Sequence, residues 1–422
     1  MFKRLAALAV LAVVPCMPAT AQSQSPALSL DEAVSRVARI HPDLRLPQLQ
    51  ADAASARLDA ATRKPALVLG VEVENLLGSG AVRGLRSAET TVTLGGLLER
   101  GGKLDARRAL AQANIDALAP VRETTRLDLM AEVARRYLAI TAAQAQQQLA
   151  EDDIGQRQRA VTAARLRLQA GASPESTLLT AQAALAQAEL DRDRALQTGR
   201  AARLALAVLW NGAEADFPVA SGDLLLMPDI ADLTVLTRLL DTTPELAALA
   251  GEQRISEAQL QLARSEARGD VSWQLGARHM RDSGDSALVA SVSVPLGSAR
   301  RAAADIRAAQ AELAMSPLQR QSRLLQLSAT LAEAHGRYRV AQLEVDRLQR
   351  DVLPRLQRAE RAAETAWRAG AISYLEWAQL QAMRVEARQR QLDAALSAQL
   401  ALIELQRLSG QPLTVTAEGS PS

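Results

Sequence analysis

The apolar positions of this chain switch period along its length, from every second residue to every third or fourth, and they do so twice. Leu67, Leu69, Val71 and Val73 alternate with Val68, Gly70, Glu72 and Glu74, which is the period of a strand with one apolar face. A return strand follows the loop around Gly78-Ser79-Gly80, with Val92 and Leu94 on its apolar side and Glu89, Thr91 and Thr93 opposite. The hairpin then recurs. Val271, Trp273 and Leu275 alternate with Ser272, Gln274 and Gly276; past the turn at Asp282-Ser283-Gly284-Asp285, Leu288, Ala290, Val292 and Val294 face away from Ser291 and Ser293. These patterns predict strands over about 66–77, 88–98, 270–280 and 286–296.

Elsewhere the pattern is helical. Residues of about 121–170, 174–210, 318–369 and 373–409 are rich in Ala, Leu, Gln, Arg and Glu, the best helix formers, with few Gly or Pro interruptions. Shorter helices are expected near 29–64, 103–119 and 231–267. A helix of about 50 residues rising ~1.5 Å per residue reaches ~75 Å, longer than a compact domain needs, so the long ones call for a coiled-coil or tubular setting.

Strands and helices keep one order in both halves. His41-Pro42-Asp43-Leu44 is answered by Thr243-Pro244-Glu245-Leu246, the stretch from Glu132 to Tyr137 by that from Glu333 to Tyr338, and Ala170-Gly171 by Ala369-Gly370, an offset of about 200 residues. Solenoid units run only ~20–50 residues. The chain therefore divides into two tandem pseudo-repeats, 22–210 and 231–410, with a connector at 211–230 and a tail at 411–422 expected to be disordered. The fold class is mostly α with a small β part, built on long antiparallel helical hairpins. Four strands cannot close a barrel, which takes about eight, and a lone sheet with one apolar face needs a cover. Assembly of several copies answers both needs.

Residues 1–21 have the layout of a cleavable secretory signal: Lys3 and Arg4, an apolar run from Leu5 to Val14, and Ala19-Thr20-Ala21 at its exit. The sole cysteine, Cys16, lies inside it, so the exported part has no thiol for a disulfide or a nucleophile. The formal charge of +2 equals the contribution of Lys3 and Arg4, which leaves the remainder balanced. Arginines interleaved with Glu and Asp along helices are solvated faces, and nucleic acid is excluded as a partner. After the signal no apolar run reaches the ~18 residues of a membrane-spanning helix, whereas strands of ~9–11 residues remain able to span.

No enzyme chemistry emerges, and no cofactor or metal is expected. The run from Gly95 to Lys103 lacks the spacing of a phosphate-binding loop, with Leu97 where a glycine is required and Leu104 in place of Ser or Thr. His41, His279 and His335 share no ligand spacing. More informative are two helix-turn-helix tips, from Arg167 to Pro174 and from Arg368 to Ser373, where Gly171 and Gly370 each stop a long helix and a serine is expected to cap the next, ahead of Glu175 and Glu376.

In its duplicated order of helix, hairpin and long helix pair, its strand exit Val292-Ser-Val-Pro-Leu296, and its two Ala-Gly tips followed by Leu178-Leu-Thr-Ala-Gln182 and Trp377-Ala-Gln-Leu-Gln381, the chain resembles the TolC family of outer-membrane efflux channels. The passage Leu98-Glu-Arg-Gly-Gly-Lys103 is similar to that of the branch exporting cobalt, zinc and cadmium. The resemblance implies a homotrimer in the Gram-negative outer membrane: a twelve-stranded barrel, four strands from each chain, continued by a helical tunnel through the periplasm. It implies a passive conduit, not an enzyme, whose partners are a periplasmic adaptor and an inner-membrane pump of the RND type, and whose cargo is heavy-metal cations or drugs. Ala170, Gly171, Ala172, Ala369, Gly370 and Ala371 would then meet the adaptor. Glu376 would line the periplasmic gate, with Thr177 in the corresponding place of the first half. Leu67, Leu69, Val71, Val92, Leu94, Val271, Trp273, Leu275, Val292 and Val294 would face lipid. The alternative is a soluble periplasmic coiled-coil adaptor or scaffold that uses its hairpins as an ordinary covered sheet.

Overall fold

The computed structural model describes residues 27–212, 217–220 and 222–411. The expected signal at 1–21 and the tail from 412 lie outside the described residues. The first half runs α1 (Leu30–Ile40), α2 (Pro42–Ala61), β1 (Val68–Glu74), β2 (Glu89–Leu98), α3 (Lys103–Asp116), α4 (Leu118–Gln169) and α5 (Glu175–Val208). The second runs α6 (Leu233–Leu239), α7 (Pro244–Glu266), β3 (Val271–Met280), β4 (Ser286–Ser293), α8 (Ser298–Arg347), α9 (Leu353–Arg368) and α10 (Tyr374–Ser409).

Prolines account for most departures from the expected helix boundaries. The stretch predicted as one helix near 29–64 breaks at His41, because Pro42 drives the residue before it into extended backbone (φ −61°, ψ 130°) and itself starts α2. Pro317 has the opposite outcome. The helix expected to begin near 318 starts at Ser298 and runs through Pro317, one lost hydrogen bond being tolerated in a 50-residue helix that α7 and α10 hold along its length. Ahead of Pro354 the chain widens into one π turn, Leu348–Val352, which lets the Leu353 amide donate to Leu348 before the proline.

The repeat is visible in the core. Tyr137 of α4 and Tyr338 of α8, the tyrosines that end the matching stretches of the two halves, are both fully buried. Each pins the backbone of the connector between the halves. The Tyr137 hydroxyl lies 3.1 Å from the carbonyls of both Leu28 and Ala220, which sit where the N-terminal segment pairs with the connector, and Tyr338 donates to the carbonyl of Pro228. Burial, with Asp229 nearby, pushes the Tyr338 phenol up to about 12, so it stays a donor throughout the physiological range. An ion network crosses between the halves beside these cores. Arg407 of α10 reaches Glu404, Glu245 of α7 and Asp128 of α4, and Arg135 of α4 closes on Glu404 at 2.7 Å.

The four strands form one antiparallel sheet in the order β1-β2-β3-β4. Its centre joins the halves, with Leu94 opposite Leu275 and Leu98 opposite Val271. Because directly paired residues share a face, the register assembles one apolar surface. Leu69, Leu94, Leu275 and Ala290 make one row, and Val71, Val92, Ala277 and Leu288 the next. No helix covers it: Leu69 is 71%, Leu288 85% and Val292 71% exposed. The opposite face is polar, where Arg278 bridges Glu74 at 2.9 Å and Glu89 at 3.0 Å and donates to Thr91. Among the described residues no helix is long and apolar enough to cross a membrane.

Candidate functional site

The two tips are the same backbone device. At the first, α4 ends at Gln169, Gly171 takes φ +68°, and the amides of Gly171 and Ala172 donate back to Leu168 (3.0 Å) and Arg167 (2.8 Å). At the second, Gly370 takes φ +79°, and Gly370 and Ala371 donate to Trp367 (3.0 Å) and Ala366 (2.9 Å). This paired arrangement satisfies the last carbonyls of a helix only where one residue adopts the left-handed region, hence the glycine. All six residues assigned to partner contact, Ala170, Gly171, Ala172, Ala369, Gly370 and Ala371, are exposed.

The restart of the helices differs between them. Ser373 caps α10 in a reciprocal box: its hydroxyl accepts from the Glu376 amide, while Glu376 Oε2 accepts from the Ser373 amide at 2.8 Å and hydroxyl at 2.9 Å. Those two hydrogen bonds hold the exposed Glu376 carboxyl below the usual carboxylate range. Ser173 does not cap α5, contrary to the expectation of a serine at both restarts. Pro174 occupies the cap position with no side-chain acceptor to offer, and the Ser173 hydroxyl, one residue too early, has no partner among the described residues. Thr177 is half-buried in the first turn, its amide donating to Pro174 at 3.1 Å.

Sequence patterns missed what fastens the tips together. Arg167 of the first tip donates to the Trp367 carbonyl of the second and lies over its indole at 5.3 Å. Trp367 stacks on Trp377 at 4.6 Å, and Tyr374 meets both edge-on at 5.9 Å, all three buried. Aromatic pairs of this geometry add ~0.5–1.5 kcal/mol each beyond their burial. Behind them Arg384, 5% exposed, pairs with Glu360 and donates to Gln156 of α4, across a cavity of about 170 Å³. A signal for this cluster was present. Of nine aromatic residues in the chain, three fall between 367 and 377.

At the other end of the molecule the Gly-Gly-Lys passage is a structural clamp. Gly101 (φ +82°) and Gly102 (φ +76°) turn the chain from β2 into α3, and a Cβ on Gly101 would lie 2.7 Å from the Ser265 carbonyl. Lys103 is thereby buried between Asp270 (2.9 Å) and Glu266 (3.1 Å), and the Arg100 amide donates to Asp270. Burial alone would lower the Lys103 ammonium; its hydrogen bonds to Asp270 and Glu266 hold it above the ordinary value. The strand residues assigned to lipid lie on the uncovered face. Leu67 immediately precedes β1 and Val294 follows β4, while Leu69, Val71, Val92, Leu94, Leu275 and Val292 are exposed and Val271 and Trp273 half-buried.

Residues 33–212 match the outer membrane efflux protein family. The chain is 26% identical over 314 residues to the cobalt-zinc-cadmium resistance protein CzcC of Cupriavidus metallidurans, taking in 74% of this chain and 75% of that one. To the nickel-cobalt-cadmium resistance protein NccC of Alcaligenes xylosoxydans xylosoxydans it is 28% identical over 296 residues, 66% of this chain and 64% of the other. The outer membrane protein VceC of Vibrio cholerae shares its fold, with a TM-score of 0.75 at 17% identity over 91% of this chain and 97% of that one. That likeness is one of fold.

Proposed function

We propose that the protein is the outer-membrane channel subunit of a tripartite efflux system, a homotrimer that conducts heavy-metal cations from the periplasm to the exterior. The observation that carries this reading is the sheet: one apolar face left uncovered, both edge strands unpaired, and long helices leaving all four strands from one end. Three copies supply the twelve strands of a closed barrel, which removes the free edges and turns the apolar face to lipid and the polar face to a lumen. A covered sheet in a soluble scaffold would bury Leu69 and Val292, and here both stand free.

The chain supplies a wall and an opening; an inner-membrane pump of the RND type supplies the energy, joined through an adaptor that docks on the six exposed tip residues. The metal-resistance relatives support cations as cargo. Glu376, charged and exposed at the tip, would form a ring of three carboxylates that favours cations at the periplasmic opening. Thr177 takes its place in the first half.

The test is to separate inner from outer membranes, measure the oligomeric mass after detergent extraction, and reconstitute the material for conductance. An outer-membrane trimer with cation-preferring conductance is expected, and replacing Leu69 and Val292 with Arg should abolish insertion. A periplasmic monomer, or insertion unaffected by the two arginines, would overturn the channel. Glu376→Gln should reduce the cation preference; an unchanged preference removes Glu376 from the opening.

A further inference from the structure

At its tunnel end the apolar face of the sheet stops at a collar of unmatched cations. Four corners meet there, because the starts of β1 and β3 lie beside the ends of β2 and β4. Arg63 and Lys64 precede β1, Arg100 follows β2, Arg268 precedes β3, and Arg300 and Arg301 open α8 after β4. All six side chains are exposed, and none has an acidic partner among the described residues. Three carboxylates at these corners are already committed, Glu99 to Arg107 and both Glu266 and Asp270 to Lys103. The far end of the sheet is different. Residues 74–89 and 278–285 hold four arginines against four carboxylates, and Arg278 there is gripped by Glu74 and Glu89.

An exposed guanidinium at the border of a lipid-facing surface is complemented by phosphate, which accepts its planar pair of N–H groups in two parallel hydrogen bonds. Basic residues close to a membrane surface gain attraction to anionic lipid that decays within a Debye length. Water alone would satisfy scattered arginines. A surplus at one end of one apolar surface, beside Glu99, Glu266 and Asp270 that are already paired with other cations, is organised for a negatively charged plane.

We infer that this collar binds anionic phospholipid headgroups of the periplasm-facing leaflet and so fixes the depth at which the barrel sits. The inference rests on the outer-membrane placement proposed above. Its partner is the lipid phosphate itself, held from outside the channel, and the transported solute plays no part.

The full-length trimer is purified, exchanged into mixed micelles of phosphatidylethanolamine and phosphatidylglycerol, and the retained lipid is quantified by native mass spectrometry. Wild type should enrich phosphatidylglycerol by about tenfold or more, and the enrichment should fall steeply between about 0.05 and 0.5 M salt. Replacing Arg100, Arg268, Arg300 and Arg301 with Gln should bring the enrichment close to one while trimer mass and conductance persist. Equal retention of the two lipids by wild type, or full enrichment in the variant, overturns the inference. A variant that keeps its lipid enrichment but changes ion selectivity places the collar on the lumen and also overturns it. If the variant fails to assemble, the wild-type salt series decides, and salt-independent enrichment sinks the idea. Failure of wild type to insert into any bilayer would instead remove the channel reading, a result separate from every outcome above.

Discussion

The two tips of this molecule have one backbone and two different supports. Both stop a long helix with a glycine in the left-handed region and return two amides to the last turn. Only the second carries a capping box and an aromatic cluster; the first restarts on a proline and packs Leu178 where the second packs Trp377. Duplication has kept the turn and let its supports diverge, so one tip is a firm anchor and the other leans on it through Arg167.

Cutting the aromatic anchor should break the asymmetry most severely. Trp377→Ala is expected to cost ~3–5 kcal/mol of local stability, seen as faster amide exchange through α9 and the start of α10. Leu178→Ala, at the matching half-buried place, should cost about 1 kcal/mol. Equal exchange in the two variants would mean that the tips are equally supported after all.

The glycines test what the tips share. Nothing lies within 4 Å of a Cβ added to Gly171, and only the end of Arg167, at 3.8 Å, approaches one on Gly370. Gly171→Ala and Gly370→Ala should therefore carry the same conformational penalty of roughly 1–2 kcal/mol, read by thermal unfolding of each hairpin. A large inequality would show that the neighbours, not the backbone, decide.

Capping gives a smaller and one-sided effect. Ser373→Ala should destabilise α10 by about 1 kcal/mol, while Ser173→Ala should stay within about 0.5 kcal/mol at a hydroxyl that caps nothing. Helix-terminal amide exchange in the two variants measures the difference.

Acid should act most weakly, and again on the second tip. The Glu376 carboxyl titrates below its ordinary value in the folded protein, so the stability it adds is complete above the unfolded carboxylate pKa and disappears as pH falls through the depressed one. Exchange at the first turn of α10 should quicken over that acidic range. The first turn of α5 has no such box to lose, and identical acid sensitivity at both would discount this role for Glu376.

Strands were the most legible part of the fold, because the period of two survives wherever one face is apolar and the other polar. Long helices were legible from composition, but their limits were not. The helix expected from about 318 begins at Ser298 and runs through Pro317, carried by its packing on α7 and α10. At the tips the turn glycines and Glu376 could be read locally. Arg167 on Trp367 could not, since 200 residues separate the partners. Lys103 was noticed for a loop it does not form; its true partners, Glu266 and Asp270, stand in the other half of the chain. Local chemistry is written in local sequence, and contacts made across the duplication are not.

The central pairing of the sheet has a kinetic side. Each hairpin closes a short loop, but β2 and β3 align residues as distant as Leu98 and Val271, an encounter slowed by the entropy of closing so long a loop. Even when it is made, the seven residues of β1 and the eight of β4 remain open ladders. An isolated chain is thus a half-finished template, ready to pair with any extended segment it meets. If three copies close the barrel as proposed, docking of the two halves and meeting with sister chains have to follow one another quickly, and the time a single copy spends alone becomes the quantity on which correct assembly depends.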